Sequence, residues 1–141
     1  MNGDRTKRTN LRDDILARAR AQVLVMGILN VTPDSFSDGG EFLDAPAALA
    51  QAEAMATDGA DILDVGGEST RPGANEVTAA DEMARVLSVI PALCEDPTRI
   101  VSIDTYKASV ARAAAGAGAV IINDVWGMTR DDGMARAVAD T

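Results

Sequence analysis

The fold is decided by the stretch MGILNVTPDSFSDGG, which runs from Met26 to Gly40. It opens inside an apolar run, Val23–Leu29, that ends abruptly at Asn30 and gives way to hydroxyls, a proline, two acids and paired glycines. An apolar run before a turn-rich segment predicts a buried β-strand that feeds a polar loop. The same pattern recurs three times, each time ending close to a carboxylate or an amide. The further predicted strands are Asp61–Val65, Arg99–Ile103 and Ala119–Ile122.

Helical patterns separate these strands. Apolar spacing predicts a short helix at Leu11–Gln22, after a frayed tail at residues 1–10, and further helices at Pro46–Asp58, from about Thr78, around Val110 and at Asp131–Asp140. Thr78 followed by Asp81 has the form of a helix cap. Pro91 lies inside the pattern that begins at about Thr78 and predicts a kink or a helix restart, because proline cannot donate the backbone hydrogen bond.

Strands that alternate with helices indicate an α/β fold with a parallel sheet. An open doubly wound sheet and an eight-stranded (β/α)8 TIM-type barrel both bind ligands at the carboxyl ends of their strands. No G-x-G-x-x-G motif follows the first strand, which weakens the dinucleotide-binding version of the doubly wound sheet. Four βα units are half of a barrel, since a whole barrel takes about 250 residues. We therefore expect a basic tail and short helix at 1–22 and a half-barrel at 23–141.

Composition excludes several classes of function. The 141 residues carry a net charge of −9, which argues against nucleic acid as a partner. No apolar run approaches the roughly 18 residues of a membrane helix. Histidine is absent, which excludes a Ser-His-Asp triad within this chain. Cys94 is the only cysteine, so no internal disulfide forms and a cytoplasmic setting fits.

Polar residues follow each predicted strand. Because neighbouring parallel strands lie about 4.8 Å apart, side chains at their ends can converge on one small ligand. The alternative for any one of them is a helix cap or a turn former. An amide oxygen beside a substrate phosphate suits Mg²⁺, which prefers oxygen ligands and keeps several waters. The residues at these strand ends are Asn30, Asp64, Asp104, Asn123 and Asp124.

Two loops carry further candidates. The segment GGESTRPG, Gly66–Gly73, offers hydroxyls and the guanidinium of Arg71 to an anion, although it could equally be a solvated loop. Phe36 is predicted either to cover a flat ring as part of a lid or to make a local contact under its loop. Lys107 is interpreted as a solvated helix residue, and Glu53 and Glu76 as surface charges.

Four motifs in this order and spacing resemble dihydropteroate synthases of folate biosynthesis. They are MGILNVTPDSFSDGG, DVGGESTRPG, SIDTYK and IINDVWG, and the resemblance covers about Val23 to Gly127. The first two motifs are long and specific, whereas other pterin-binding proteins share something similar to the last two. The resemblance implies a (β/α)8 barrel. It also implies a transferase that joins 6-hydroxymethyl-7,8-dihydropterin diphosphate to p-aminobenzoate, giving 7,8-dihydropteroate and diphosphate.

The resemblance also implies roles for individual residues. Asn30 would bind the Mg²⁺ that accompanies the diphosphate, and Asp38 would approach that metal when its loop closes. Asp104 and Asn123 would line the pterin pocket, with Asp104 close to the positive charge that develops in the reaction. The remaining substrate contacts would come from Thr70 and Arg71 to the pterin diphosphate and from Phe36 and Pro72 to p-aminobenzoate.

Several family features have no counterpart here: a later aspartate for the pterin amino edge, a lysine-bearing segment and an Arg-x-His pair. We therefore expect a truncated chain with little turnover alone, and with its first and last strands as open edges. A non-catalytic assembly remnant is the alternative, paired as a homodimer or with a complementary half-barrel. A third hypothesis is a pterin-dependent methyltransferase domain. The residues of the first two motifs argue against it.

Overall fold

The computed structural model describes residues 2–32, 44–69 and 76–141, with side chains described from Asn10 onward. Four strands alternate with helices along these ranges. In chain order the elements are α1 (Asn2–Ala21), β1 (Met26–Asn30), α2 (Ala45–Thr57), β2 (Ile62–Gly66), α3 (Ala79–Leu87), α4 (Ile90–Leu93), β3 (Ile100–Asp104), α5 (Ala108–Gly116), β4 (Ile121–Asn123) and α6 (Met134–Asp140).

The four strands are parallel and lie side by side in the order in which they occur, β1-β2-β3-β4. A doubly wound sheet reverses its strand order at a switch point, whereas a barrel adds each strand beside the previous one. The order confirms the α/β class and is that of four successive βα units of a barrel. Within the described ranges, β1 and β4 form the two edges of this sheet.

The hydrophobic core lies on one face of the sheet. Side chains alternate between the two faces along a strand, so every second residue of each strand points toward the helices. The strand residues in this core are Leu29, Val31, Leu63, Val65, Val101 and Ile103, and they pack with Ala48, Ala52, Val86, Val110 and Ala114 of the helices. The core is aliphatic, and the polar strand residues lie on the opposite face.

The strands end one residue later than the sequence predicts. Their last residues are Asn30, Gly66, Asp104 and Asn123, because ladder pairing continues through the polar positions at the strand ends. The predicted start at Val23 is wrong, since β1 begins at Met26. Its partner β2 begins at Ile62, so Val23 lies before the ladder and is 87% exposed.

Local signals fix most helix ends. Thr78 Oγ1 accepts from the backbone N–H of Asp81 at 3.1 Å, which confirms the predicted cap of α3. The restart at Pro91 is also confirmed, because α3 ends at Leu87 and α4 begins at Ile90. The N-terminal helix is longer than predicted: residues 2–10, expected to be a frayed tail, are helical, and no proline interrupts this stretch.

The last helix begins at Met134 rather than at Asp131. Asp131 instead forms a turn, in which its carboxylate accepts from the backbone N–H groups of Gly133 and Ala108, each at 2.8 Å. These two bonds lower the pKa of Asp131. Among the described helices, none combines the length and the apolar character that crossing a membrane requires.

Candidate functional site

The ends of the four strands form a single row. The strand register pairs Asn30 with Gly66, Gly66 with Asp104, and Asp104 with Asn123. A methyl group added at Gly66 would lie 3.7 Å from both Asn30 Oδ1 and Asp104 Oδ2. The glycine therefore leaves open the space between these two side chains, and the predicted convergence of strand ends holds for this row.

Asp64 lies one layer deeper on the same face. Its side chain is only 3% exposed, and its Oδ2 accepts a hydrogen bond of 2.9 Å from Asn123 Nδ2. Among the described residues, Asp64 Oδ1 and the neighbouring Ser102 Oγ are buried without a hydrogen-bond partner. An unpaired buried polar atom costs about 1–3 kcal/mol. The polar layer of Asp64 and Ser102 beneath the row, which we call the floor, therefore lowers the stability of the fold.

Asp104 carries the carboxylate of the row, and the pKa of this group is raised. Burial raises its pKa to about 6, and the nearby carboxylates of Asp64, Glu82 and Asp124 add to the rise. The side chain is half-buried and faces other acids, so its charged form is held at a cost. At neutral pH it is nevertheless mainly ionised, because 7 lies above 6.

Asp124 forms a turn, which was the alternative considered for each strand-end acid. Its two carboxylate oxygens accept from the backbone N–H groups of Trp126 and Met128, at 2.9 and 2.8 Å. This geometry fixes the chain as it leaves β4. Asp124 therefore contributes negative charge near Asp104, while its oxygen atoms serve the local backbone.

A second polar group lies between the loops that follow β2 and β3. Lys107 Nζ contacts Glu82 Oε2 at 2.5 Å and forms an ion pair with Glu68. The interpretation of Lys107 as a solvated helix residue is wrong, since its side chain is only 13% exposed. Lys107 lies immediately before α5. The carboxylates of Glu68 and Glu82 are both largely buried, so a cation close to them is needed to offset the loss of their hydration. We call Lys107, Glu68 and Glu82 the lysine cluster.

Burial and pairing compete within the lysine cluster. Burial works against the charge of Lys107, but hydrogen bonds to Glu68 and Glu82 outweigh it and raise the pKa of Lys107 to about 12. Burial likewise opposes ionisation of Glu68, yet hydrogen bonds from Lys107 and from Val77 N lower the pKa of Glu68. Lys107 and Glu68 therefore stay charged at neutral pH.

Tyr106 extends the cluster toward the loop after β4. Its hydroxyl donates to Glu76 Oε1 at 3.2 Å, and the guanidinium of Arg130 lies 4.2 Å from the centre of its ring. Arg130 also pairs with Glu76 at 3.3 Å. Glu76 is exposed, as predicted, but it links these loops across the rim rather than standing alone.

Sequence reasoning missed Glu82 and gave Glu68 no role of its own. A signal for Glu82 existed, because it lies four residues before Val86 on the buried face of α3 and is itself 1% exposed. A carboxylate within an apolar stripe needs a buried cation, and lysine is the residue that the next loop supplies. For Glu68, the local sequence carried no such pattern.

Five predicted site residues lie outside the described residues. The roles assigned to them stay predictions: Phe36, Asp38, Thr70, Arg71 and Pro72. For the predicted Mg²⁺, Asn30 offers one amide oxygen on the rim. The described part of the chain brings no three His, Cys, Asp or Glu side chains together as a metal cage. A donor set this small fits Mg²⁺, which takes most of its ligands from water and substrate phosphate.

Residues 26–141 match the family of pterin binding enzymes. Among relatives, the chain is 54% identical to dihydropteroate synthase of Bacillus subtilis, covering 86% of this chain and 42% of the relative. It is 55% identical to dihydropteroate synthase of Clostridium beijerinckii, covering 82% of this chain and 43% of the relative. The chain thus spans less than half the length of the relatives that it matches.

Solved structures give the same result. Xanthomonas albilineans dihydropteroate synthase with 4-aminobenzoic acid superposes with a TM-score of 0.78 at 51% identity, covering 84% of this chain and 43% of that one. Burkholderia cenocepacia dihydropteroate synthase complexed with 7,8-dihydropteroate superposes with a TM-score of 0.71 at 49% identity, covering 83% and 38%.

Proposed function

The chain belongs to the family of pterin binding enzymes, and we propose that it forms the pterin diphosphate-binding part of a dihydropteroate synthase. The observation that carries this proposal is the row Asn30, Gly66, Asp104 and Asn123 at the carboxyl ends of four successive strands. The reaction joins 6-hydroxymethyl-7,8-dihydropterin diphosphate to p-aminobenzoate and releases diphosphate. Carboxyl ends of strands are where barrels of this type carry their active sites.

The pterin ring would lie over Asp104 and Asn123. A pterin carries N–H and amino groups along its edges, and a carboxylate and an amide oxygen are matching acceptors. Gly66 supports this placement, because the missing side chain leaves room for a flat ring between the ends of β1 and β3. The half-buried position of Asp104 would strengthen a hydrogen bond from the ring.

The diphosphate would extend from the ring toward Asn30. We propose Asn30 as a ligand of Mg²⁺, with Asp38 approaching it and with Thr70 and Arg71 contacting the phosphate oxygens. When bound, Mg²⁺ would neutralise charge on the diphosphate and make it a better leaving group. Arg71 suits the phosphate end because its guanidinium can donate two parallel hydrogen bonds to phosphate oxygens.

The chemical step breaks the bond between the pterin methylene carbon and the diphosphate oxygen, and forms a bond from that carbon to the arylamine nitrogen. The nitrogen then loses a proton. Positive charge develops on the pterin methylene as diphosphate departs, and ionised Asp104 would stabilise it by about 4 kcal/mol at ~4 Å with an effective dielectric constant of ~20. The arylamine is already neutral at pH 7 and needs no histidine base. Phe36 and Pro72 are proposed to shape the p-aminobenzoate pocket.

Binding of the pterin diphosphate to this chain tests the proposal. We expect calorimetry to detect Mg²⁺-dependent binding, which Asp104→Ala weakens at least about 10-fold because it removes a charged acceptor. Asp132→Asn, a change at an exposed carboxylate, should bind like the wild type. Absence of binding, or full binding by Asp104→Ala, would overturn the proposal. Methyl transfer from a reduced folate would instead favour the methyltransferase reading.

A second candidate function is assembly with further strands. On the site face of the edge strand β1, Met26 is 39% exposed and Ile28 is 60% exposed. Apolar side chains on an open strand favour pairing with another sheet, either in a homodimer or with a complementary half-barrel. Light scattering should then detect a dimer that Ile28→Lys dissociates, whereas a wild-type monomer would count against assembly as a homodimer.

A cytoplasmic location is proposed from the single cysteine.

A further inference from the structure

We propose that Asp64 is a positioning residue, which holds the side-chain amide of Asn123 with its carbonyl oxygen toward the ligand and thereby selects ring edges that carry N–H donors. The inference rests on the proposed function, because it concerns the same ring-binding site. It adds a residue that does not itself line the rim. Its basis is the hydrogen bond between the two side chains and the burial of Asp64.

The two side chains meet across an intervening strand. Asp64 lies on β2 and Asn123 on β4, while β3 runs between them. With strands about 4.8 Å apart, both side chains must lean over β3 to form their 2.9 Å hydrogen bond. Asp104 lies on the same face of β3, in register with Asn123. The hydrogen bond therefore crosses β3 diagonally, from the level of Ser102 to that of Asp104, which is the acceptor that the ring would meet.

The direction of the Asn123 amide follows from the chemistry of its partner. A carboxylate only accepts hydrogen bonds, so the atom of Asn123 that faces Asp64 must be the Nδ2 donor. The amide oxygen then points away from Asp64. Without that carboxylate, the two orientations of an asparagine amide would differ little in energy. Asp64 thus fixes which end of the amide is offered to a ligand.

The fold itself gives no reason for a carboxylate at this position. The register neighbours of Asp64 are Ile28 on β1 and Ser102 on β3, and Ile121 follows on β4. An aliphatic residue would suit this layer better, since Asp64 is 3% exposed and its Oδ1 is buried without a partner in the described structure. A buried carboxylate with an unpaired oxygen lowers the stability of the fold, and its presence here indicates a task at the site.

The consequence is a preference among ligands. Asn123 Oδ1 and the carboxylate of Asp104 are two adjacent acceptors, so the preferred edge carries two hydrogen-bond donors. A ring that carries an acceptor in place of one of these donors would place it against an acceptor oxygen of the protein, and it would bind more weakly. Pterin, with an exocyclic amino group, and lumazine, with a carbonyl oxygen at the same position, differ in this respect.

Calorimetry with these two probes tests the selectivity on the whole chain. We expect the wild type to prefer pterin over lumazine, and Asp64→Leu to bind pterin about 10- to 100-fold more weakly with that preference largely lost. Asp64→Asn keeps an acceptor oxygen and should recover part of the affinity for pterin and part of the preference for pterin over lumazine. Ser102→Ala, a matched change in the same buried layer, should retain the preference. Unchanged selectivity in Asp64→Leu would overturn the inference.

Nuclear magnetic resonance separates this inference from the proposed function, because it needs no ligand. In the free chain, one Nδ2 proton of Asn123 should be shifted downfield and protected from exchange by its bond to Asp64. Asp64→Leu should abolish both features, while Ser102→Ala should preserve them. If the wild type binds no pterin but the Asn123 signals respond in this way, only the proposed function fails. Unchanged Asn123 signals in Asp64→Leu would refute the positioning role.

Discussion

Replacing Asp104 with asparagine should stabilise the chain at alkaline pH. The pKa of Asp104 rises from 3.8 to about 6 on folding, because burial and the carboxylates of Asp64, Glu82 and Asp124 disfavour its charge. The folded state therefore binds more protons than the unfolded state between these values, and stability falls as the pH rises from 3.8 to about 6. At 1.36 kcal/mol per pH unit the full cost is about 3 kcal/mol. Solvent screening of a half-buried group reduces it to about 1–2 kcal/mol.

Urea denaturation followed by circular dichroism at pH 8, 6.5 and 5 measures this cost. Asp104→Asn should gain about 1–2 kcal/mol in free energy of unfolding at pH 8, and the gain should shrink steadily toward pH 5. The control Asp132→Asn removes an exposed carboxylate and should change the free energy little at any of the three values. A variant that is less stable at pH 8, or a gain that is independent of pH, would refute the electrostatic reasoning.

Two further substitutions probe packing away from the row. Lys107→Met should lower the free energy of unfolding by about 3–5 kcal/mol at pH 7.5, because it leaves the buried carboxyl group of Glu82 without its cation. Gly118→Ala should lower it by about 1–3 kcal/mol, since Gly118 has φ +120° and a methyl group there would lie 2.8 Å from Cys94 Cβ. Both are measured by urea denaturation.

Each substitution has a matched control in the same chain. Arg136→Met removes a cation whose side chain is 83% exposed, so the free energy of unfolding should change by less than about 1 kcal/mol. Gly116→Ala adds a methyl group with no atom within 4 Å, and it should leave the chain as stable or slightly more stable. Equal losses for Lys107→Met and Arg136→Met, or for the two glycine variants, would contradict these explanations.

The fold was predictable because two periodic patterns agree. Apolar strands that end in polar loops, alternating with capped helices, leave few arrangements for a parallel sheet, and the row from Asn30 to Asn123 follows from placing strand ends side by side. The strand limits were less predictable. Strand β1 begins at Met26 and ends at Asn30 because these are the residues that pair with Ile62–Gly66. The hydropathy of Val23–Leu29 does not set these limits.

Contacts between distant side chains could not be predicted from local pattern. Asp64 and Asn123 are 59 residues apart, and their contact depends on two strand registers at once. The sequence around Lys107 predicts a solvated side chain, but Lys107 forms an ion pair with the buried Glu82 of another helix. In both cases the decisive partner lies on a different element, so one-dimensional spacing carries no signal for it.

In the part of the chain that the structure describes, the electrostatic character of the row depends on which carboxylates Lys107 pairs with. Lys107 is shared between Glu68 and Glu82, so in the described structure it does not neutralise Asp104 and Asp64 on the site face. Burial is the main cause of the raised pKa of Asp104, and the neighbouring carboxylates that Lys107 leaves without a cation add to it. These carboxylates repel diphosphate but favour positive charge on a bound ring. The placement proposed above, with the ring over Asp104 and the phosphates toward Asn30, agrees with this distribution of charge.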